Sequence, residues 1–274
     1  MPELPEVETM VRDIRPNLVG RSIGRVRLSH DDVLRGVTRR KLVRRLTGSK
    51  IKRVFRRAKH AVIETDTYRL VVQPGMTGSL QVHRRALGDD DAPYAVLRAE
   101  LSGGRELVYT DVRRLGTLLL LDDKEWTAYD AAIGPEPLDD DFSVERFASA
   151  VGRSRQAIKK VIMDQRHLAG VGNIYAAEAL FAAGIDPSKP ANRLAPEDHG
   201  RLHAEIRRIL AAAIASKGST IRDYRTGTGE EGNFQLELAV YGREGEPCPV
   251  CGTRLAGTHS IDQRITVFCH RCQH

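Results

Sequence analysis

Two closely spaced cysteine pairs constrain the fold of this chain more than any other feature. They are Cys248 with Cys251 and Cys269 with Cys272, and the sequence has no other cysteine. Seventeen residues separate the pairs, within the roughly fifteen to twenty that are typical of a tetrahedral zinc site. Four thiolates leave no open position for a catalytic water. We therefore expect one structural zinc ion, with a redox-active cysteine pair as the alternative.

The segment between the pairs is predicted to form a β-hairpin. Strand-forming residues occupy 253–255 and 265–268, so Arg264 falls at or near the tip. A small zinc-stapled hairpin that presents an arginine is typical of nucleic-acid binding. A zinc ribbon that only holds the fold together is the alternative.

The charge distribution also indicates a polyanionic partner. The formal net charge is +7, and the stretch from Arg39 to Lys59 contains eleven Lys or Arg and no Asp or Glu. Such a stretch suggests nucleic acid first, with a solvated charged face as the alternative.

Length and hydropathy favour a soluble protein of more than one domain. A chain of 274 residues is longer than one domain usually needs. No apolar run approaches the roughly 20 residues of a membrane span, and no signal-peptide pattern is present. We expect a cytosolic protein with no membrane partner.

The spacing of apolar residues, and with it the predicted secondary structure, changes along the chain. Apolar spacing predicts a helix from Pro5 to Gly20, which Pro16 could end earlier. Residues 21–121 read as short strands of a mostly antiparallel β domain. A proline-rich acidic linker follows at 134–141. Three helices are then predicted at 157–164, 174–183 and 196–217, and a glycine-rich loop at 225–233. A strand is predicted between that loop and the cysteines.

The stretch Gly170-Val-Gly-Asn-Ile-Tyr-Ala176 resembles a phosphate-binding loop only in part. Tyr175 stands where a dinucleotide fingerprint needs a small residue. Backbone amides at the start of a helix can still hold a phosphate, and Asn173 could cap that helix. A plain connection between two helices is the alternative.

Together and in order, several motifs resemble those of the formamidopyrimidine-DNA glycosylase family. They span nearly the whole chain: MPELPEVET at 1–9, RRAK at 56–59, GMTG at 75–78, YTDVRRLG at 109–116, GPEP at 134–137, GVGNIY at 170–175, VYGREGEPC at 240–248 and the four cysteines. The resemblance implies an α+β fold in which DNA lies in a cleft. Its expected parts are an N-terminal β-sandwich with flanking helices (1–131), a linker (132–150), a helix–two-turn–helix domain (151–240) with a lesion loop at about 220–233, and a β-hairpin zinc finger (241–274).

The resemblance also implies the catalytic residues. Removal of Met1 would make Pro2 the N-terminal nucleophile, Glu3 the acid–base partner, and Lys59 and Arg264 further members of the catalytic set. An α-amine titrates near ~8 and a lysine near ~10.4, so at neutral pH roughly two hundred times more of the α-amine is neutral. When a secondary amine adds to sugar C1′, the product is an iminium that acts as an electron sink for β- and then δ-elimination.

The implied DNA contacts form two groups. Lys59, Asn173 and Arg264 would bind phosphates around an extruded nucleotide. Met76, Arg113 and Leu115 would fill the vacated stack, with Arg113 facing the orphaned base.

Four further positions bear on how closely the chain follows the family. Leu115 stands where the family usually has phenylalanine, and Gln73-Pro74 replaces the usual His-Leu. Glu6 matches an acidic position of the family, either as support for the site or as a residue that the helix dipole favours.

The expected function is base-excision repair of oxidised purines by a monomeric glycosylase and abasic-site (AP) lyase. Its partner would be double-stranded DNA with oxidised bases or abasic sites, in a bacterial cytoplasm at the nucleoid. One alternative is an endonuclease VIII-like specificity for oxidised pyrimidines, suggested by Leu115. The other is a non-catalytic protein that binds damaged DNA.

Overall fold

The chain forms two compact units. A computed structural model describes residues 1–88, 90–220 and 226–274. Unit 1 comprises Met1–Ala131 with Ser216–Asn233, and unit 2 comprises Ala132–Ala215 with Phe234–His274. The described residues 216–220 and 226–233 are grouped with the β-rich unit by their contacts.

Unit 1 contains two four-stranded antiparallel sheets, ordered β1-β6-β7-β5 and β2-β3-β4-β8. Their strands are β1 (Ile23–Leu28), β2 (Ile51–Arg57), β3 (His60–Thr65), β4 (Arg69–Gln73), β5 (Gly78–His83), β6 (Ala95–Leu101), β7 (Arg105–Asp111) and β8 (Thr117–Leu121). Alternate residues of both sheets, such as Leu70 and Val72 of β4 and Leu107 and Tyr109 of β7, are buried in one core. Each fully buried side chain of this size contributes about 1.5–3 kcal/mol, so the alternation fixes the register.

Three helices accompany these sheets: α1 (Leu4–Leu18), α2 (Arg39–Leu46) and α3 (Asp123–Ala131). Helix α1 starts one residue earlier than predicted, with Glu3 as N-cap and Pro5 in the first turn. Pro16 lies inside it and does not end it, because the last turn can lose one backbone hydrogen bond. The apolar face of α1 packs into the core between the sheets.

Unit 2 begins with four helices, α4 (Val144–Val151), α5 (Ile158–Met163), α6 (Asn173–Ala182) and α7 (Pro196–Ala215), and short 3-10 turns at Ala191–Arg193 and Phe234–Glu237. Helix α4 falls within residues 132–150, which were expected to be a linker. Ser143 caps α4 by accepting a hydrogen bond from the Arg146 amide, and Phe147 and Val151 are buried. Two apolar residues one turn apart are too short a pattern to predict a helix from sequence.

The end of unit 2 holds a two-stranded antiparallel sheet of β9 (Ala256–Thr258) and β10 (Thr266–Phe268). The hairpin prediction is confirmed, although its first strand lies three residues later than expected. The strand predicted before the cysteines is wrong, since the structure describes a 3-10 turn and no strand across 234–247. Backbone amides of Ala239, Val240 and Tyr241 instead donate to the buried Glu178 carboxylate of α6.

Within the described ranges, no helix is both long and apolar enough to cross a lipid bilayer.

Candidate active site

The first turn of α1 fixes the backbone next to the N-terminus. The amide of Glu3 donates to Glu6 Oε2 at 2.8 Å, and the amide of Ser219 donates to Glu6 Oε1, also at 2.8 Å. Glu6 is buried, so these charge-assisted bonds are shielded from solvent. Glu6 therefore holds the backbone of Glu3 in place, which goes beyond a favourable interaction with the helix dipole.

The N-terminal amine lies in a partly desolvated and highly charged environment. Burial lowers the pKa of the Met1 amine below its usual value, Glu3 and Glu6 raise it, and Lys59 and Arg113 lower it further. Lys59 and Arg113 come from distant parts of the sequence, yet they act on the same amine as the neighbouring Glu3 and Glu6. The net lowering favours the neutral amine, which is the nucleophilic form.

Lys59 occupies a tight turn between β2 and β3. Arg57 pairs with His60, which leaves Ala58 and Lys59 as a two-residue hairpin connection. Lys59 is only 5% exposed and is buried, whereas the other lysines and arginines of the basic stretch are partly or fully exposed. Its burial distinguishes it from the rest of the basic stretch, which the sequence alone could not do.

The Asp111 carboxylate organises two loops at one end of the sheet that contains β5 and β7. It accepts hydrogen bonds from the Thr77 hydroxyl at 2.5 Å, the Gly116 amide at 2.8 Å and the Tyr109 hydroxyl at 3.2 Å. Residues 74–78 and 112–116 are thereby held together. Asp111 lies in the YTDVRRLG motif, but no role was predicted for it from the sequence. The feature that could have identified it is that it is a single acidic residue among apolar and basic ones.

Gly116 is required for this arrangement. A Cβ atom at Gly116 would lie 1.9 Å from the Tyr109 hydroxyl and 2.5 Å from the Gln73 carbonyl. Any side chain here would push the two loops apart.

The two loops expose an unusual apolar surface. Met76 is 40% exposed and Leu115 54% exposed, and the Arg113 guanidinium lies 3.1 Å from Met76 Sδ. Tyr94 is 62% exposed, and its backbone carbonyl accepts a hydrogen bond from the Asp111 amide. Exposed apolar side chains in a cluster indicate a contact surface. Sequence reasoning found Met76, Arg113 and Leu115 but missed Tyr94, which lies outside the recognised motifs.

Gln73 lies beside the N-terminus. Its Nε2 is 3.9 Å from Met1 Sδ, and its Oε1 accepts a hydrogen bond from the Thr117 hydroxyl at 3.1 Å. A neutral amide therefore occupies the position where the family usually has histidine.

Part of the expected lesion loop at 220–233 packs against helix α1. Residues 221–225 lie outside the described residues. The Gly232 amide donates to the Thr220 hydroxyl at 2.8 Å. Burial raises the pKa of the Asp13 carboxyl of α1, and the nearby amides of Gly227 and Thr228 lower it. Gly227 packs directly on α1, since a Cβ there would lie 2.7 Å from Asp13 Cβ.

In unit 2, Asn173 contacts the hairpin that carries Arg264. Gly172 is the N-cap of α6, so Asn173 does not cap the helix as the sequence suggested. Its Nδ2 instead donates to the Ile265 carbonyl at 3.3 Å. Arg264 is exposed, and its amide donates to Asp262 Oδ1. The two predicted phosphate contacts are thus neighbours within this unit.

A buried lysine ties α5 to the same hairpin. Lys159 is fully buried, and its ammonium donates to the Thr266 hydroxyl at 2.6 Å. The hairpin tip also borders a concave surface of about 630 Å³ with several basic side chains. These are Lys160, Arg166, His167, His259 and Arg264. Neither Lys159 nor this surface was identified from the sequence.

The four cysteines form a metal-binding cluster. All four Sγ atoms lie within 4.8 Å of one another, with 3.9 Å between Cys248 and Cys272 and 3.5 Å between Cys251 and Cys269. Tetrahedral coordination at about 2.3 Å per Zn–S bond places sulfurs about 3.8 Å apart. The donor set and its spacing therefore fit a tetrahedral thiolate site.

Comparison with known proteins agrees with this geometry. Residues 1–118 match the formamidopyrimidine-DNA glycosylase N-terminal domain, and residues 133–225 match the formamidopyrimidine-DNA glycosylase H2TH domain. The chain belongs to the formamidopyrimidine-DNA glycosylase family. The resemblance inferred from the sequence motifs is confirmed, and with it the glycosylase class and a role in DNA repair.

Individual relatives cover the full length. The formamidopyrimidine-DNA glycosylases of Stutzerimonas stutzeri (strain A1501) and Pseudomonas entomophila (strain L48) are both 46% identical over 274 residues, 100% of each chain. A Lactococcus lactis Fpg mutant in complex with Fapy-dG-containing DNA is 34% identical, with a TM-score of 0.90 and full coverage of both chains. The MutM (Fpg) protein of Thermus thermophilus is 36% identical with a TM-score of 0.86, covering 99% of this chain and 98% of its own. The α+β fold prediction is confirmed by these matches.

Proposed function

We propose that this protein is a bifunctional glycosylase and AP lyase that removes 8-oxoguanine and formamidopyrimidines from double-stranded DNA. The observation that carries the proposal is the N-terminal amine, whose pKa is lowered by desolvation and on which the charges of Glu3, Glu6 and Lys59 act. Removal of Met1 would leave the Pro2 nitrogen as the amine at this site. Solved relatives bound to Fapy-dG DNA and to DNA with an abasic site support the substrate class.

The base is removed by attack of the Pro2 nitrogen on sugar C1′. The glycosidic bond breaks, and the base leaves with the bonding electrons and gains a proton. Glu3 protonates the ring oxygen as the sugar opens, which leaves an iminium between Pro2 and C1′. The electrostatic effect of Glu3 on the N-terminal amine supports this assignment.

Strand cleavage then uses the iminium as an electron sink. Loss of a C2′ proton expels the 3′ phosphate, and loss of a C4′ proton expels the 5′ phosphate. Water finally hydrolyses the iminium and returns the Pro2 amine. Lys59 lies close enough to the amine to influence its pKa, so it can bind a phosphate next to C1′.

The remaining residues bind the distorted duplex. Met76, Arg113 and Leu115 enter the space that the extruded nucleotide leaves, and their exposure supports this role. Asn173 and Arg264 bind backbone phosphates, and Cys248, Cys251, Cys269 and Cys272 would hold a zinc ion that supports the hairpin carrying Arg264. With four thiolate ligands, the ion would serve as a structural cross-link.

A lesion panel tests the substrate class. Duplexes that differ only in one base, 8-oxoguanine, formamidopyrimidine or thymine glycol, are compared by kcat/KM. We expect the oxidised purines to be preferred by at least about tenfold, a difference of about 1.4 kcal/mol in transition-state binding. A preference for thymine glycol would support the endonuclease VIII-like alternative, which Leu115 motivates. Absence of cleavage even on abasic DNA would support the non-catalytic one.

Leu115 gives a second prediction. Leucine fills volume but cannot stack, and base–aromatic stacking contributes about 1–3 kcal/mol. We expect Leu115→Phe to tighten binding to a duplex with an abasic-site analogue by about tenfold and Leu115→Ala to weaken it, as measured by fluorescence anisotropy. Val112→Phe is the control, because it adds the same ring at a similarly exposed neighbouring position. Equal effects at both positions would assign the gain to general apolar contact.

A further inference from the structure

Helix α3 forms hydrogen bonds with the residues on both sides of the turn that carries Lys59. Arg57 Nε donates to Asp130 Oδ1 at 2.5 Å, and the Arg57 guanidinium also donates to the Asp130 carbonyl at 3.2 Å. On the other side of the turn, the Tyr129 hydroxyl and His60 Nδ1 share a hydrogen bond of 2.8 Å. Two consecutive residues of α3 thus hold the two residues that flank Ala58 and Lys59.

The turn between these anchors has an unfavourable backbone. Ala58 has φ +51 and is fully buried. A two-residue hairpin connection requires a positive φ, and glycine usually supplies it because a Cβ is strained there. Such a conformation persists only where its surroundings enforce it, often at a functional site.

The aromatic packing of α3 provides a rigid base for these contacts. Trp126 meets Phe55 of β2 edge to face at 5.7 Å between centroids, and it also packs against Tyr129 at 5.6 Å. Burial raises the pKa of Tyr129 to about 12, so its hydroxyl stays protonated throughout the working pH range. Neither the sequence motifs nor the mechanism above assigns α3 a role.

We propose that Tyr129 and Asp130 are positioning residues for Lys59. By holding His60 and Arg57, they keep the strained turn in the one conformation that buries the Lys59 side chain near the N-terminal amine. The claim about activity rests on the proposed lyase function, whereas the claim about the turn does not.

A double-mutant cycle tests the effect on activity. The measured quantity is the single-turnover rate of strand cleavage on abasic DNA. We expect Tyr129→Phe with Asp130→Asn to lower it by about tenfold to a hundredfold, the scale on which misplacement of a reacting group by about 1 Å lowers a rate. In a Lys59→Met background, the same pair of substitutions should have almost no further effect. An equal loss in both backgrounds, or no loss in either, would overturn the proposal.

Asp123→Asn is the matched control. Asp123 lies at the start of α3 and pairs with Arg69 at 2.6 Å, so this substitution also removes an ion pair between α3 and the sheet. It leaves the contacts of the Lys59 turn unchanged. We expect little change in cleavage rate, and a loss equal to that of the double variant would assign the effect to general loosening of α3.

A second measurement does not depend on activity. Limited labelling with an amine-reactive reagent, read by mass spectrometry, reports the accessibility of Lys59 in the free protein. We expect labelling to rise several-fold in the Tyr129→Phe, Asp130→Asn variant and to stay unchanged in Asp123→Asn. Unchanged labelling would refute the positioning role even if the protein is an active lyase. Labelling could also rise in the double variant while neither the wild-type protein nor any variant cleaves abasic DNA. That result would support the positioning role of Tyr129 and Asp130 and would contradict the proposed lyase function.

Discussion

Protein with an uncleavable N-terminal extension is expected to form no borohydride-trapped complex with abasic DNA, whereas protein with the same extension at the C-terminus is expected to trap efficiently. An extension converts the Pro2 amine into an amide, whose nitrogen lone pair is delocalised into the carbonyl. An amide nitrogen cannot form the iminium that borohydride reduces. We expect the cleavage rate to fall by at least about 1,000-fold, on the scale that loss of a nucleophile has in other covalent enzymes.

Substitution of Pro2 provides the companion experiment. Pro2→Gly retains a free amine but replaces the secondary amine with a primary one, so its adduct can lose a proton and with it the fixed positive charge. We expect weaker trapping and slower elimination. Equal crosslinking by wild type and Pro2→Gly would show that Pro2 is not the nucleophile. DNA binding by the extended protein, measured without borohydride, distinguishes loss of chemistry from loss of affinity.

The features that the sequence predicted well have short-range causes. The cysteine pairs impose a local geometry through their spacing, and the four Sγ atoms do converge. Helix α1 follows from apolar spacing and an N-terminal proline, both of which act within a few residues. The antiparallel sheets follow from short alternating segments, because one face of each sheet must be buried.

The features that were missed depend on long-range contacts. Asp111 acts through Thr77, 34 residues away, and Glu178 acts on Val240, 62 residues away. The hydrogen bond between Lys159 and Thr266 spans 107 residues. A buried charged residue with a distant partner has no local pattern, so only the folded chain identifies it. Asn173 shows the same limit of prediction from local sequence, since its neighbours in sequence suggested a helix cap, whereas its hydrogen-bond partner is Ile265 on the hairpin.

Removal of the metal is expected to abolish high-affinity DNA binding while unit 1 stays folded. The hairpin buries few apolar residues, chiefly Leu255 and Val267 beside Cys248 and Cys269. A core this small does not hold its fold alone, and zinc supplies about 10–16 kcal/mol to the folding of comparable zinc-finger peptides. Loss of the ion therefore releases the segment that presents Arg264 and supports Asn173. The two sheets of unit 1 have a separate core and need no metal.

The measurement compares zinc-loaded, chelator-treated and zinc-restored protein. Anisotropy with an abasic-analogue duplex gives Kd at several salt concentrations, and circular dichroism reports the sheets. Zinc-loaded Arg264→Ala is the matched variant, because it removes one phosphate contact and should lower the slope of log K against log salt by about 0.9. Metal-free protein should lose more affinity than this variant, since the whole hairpin is affected, and added zinc should restore binding. Full affinity without metal would contradict both the structural role of zinc and the phosphate contact assigned to Arg264.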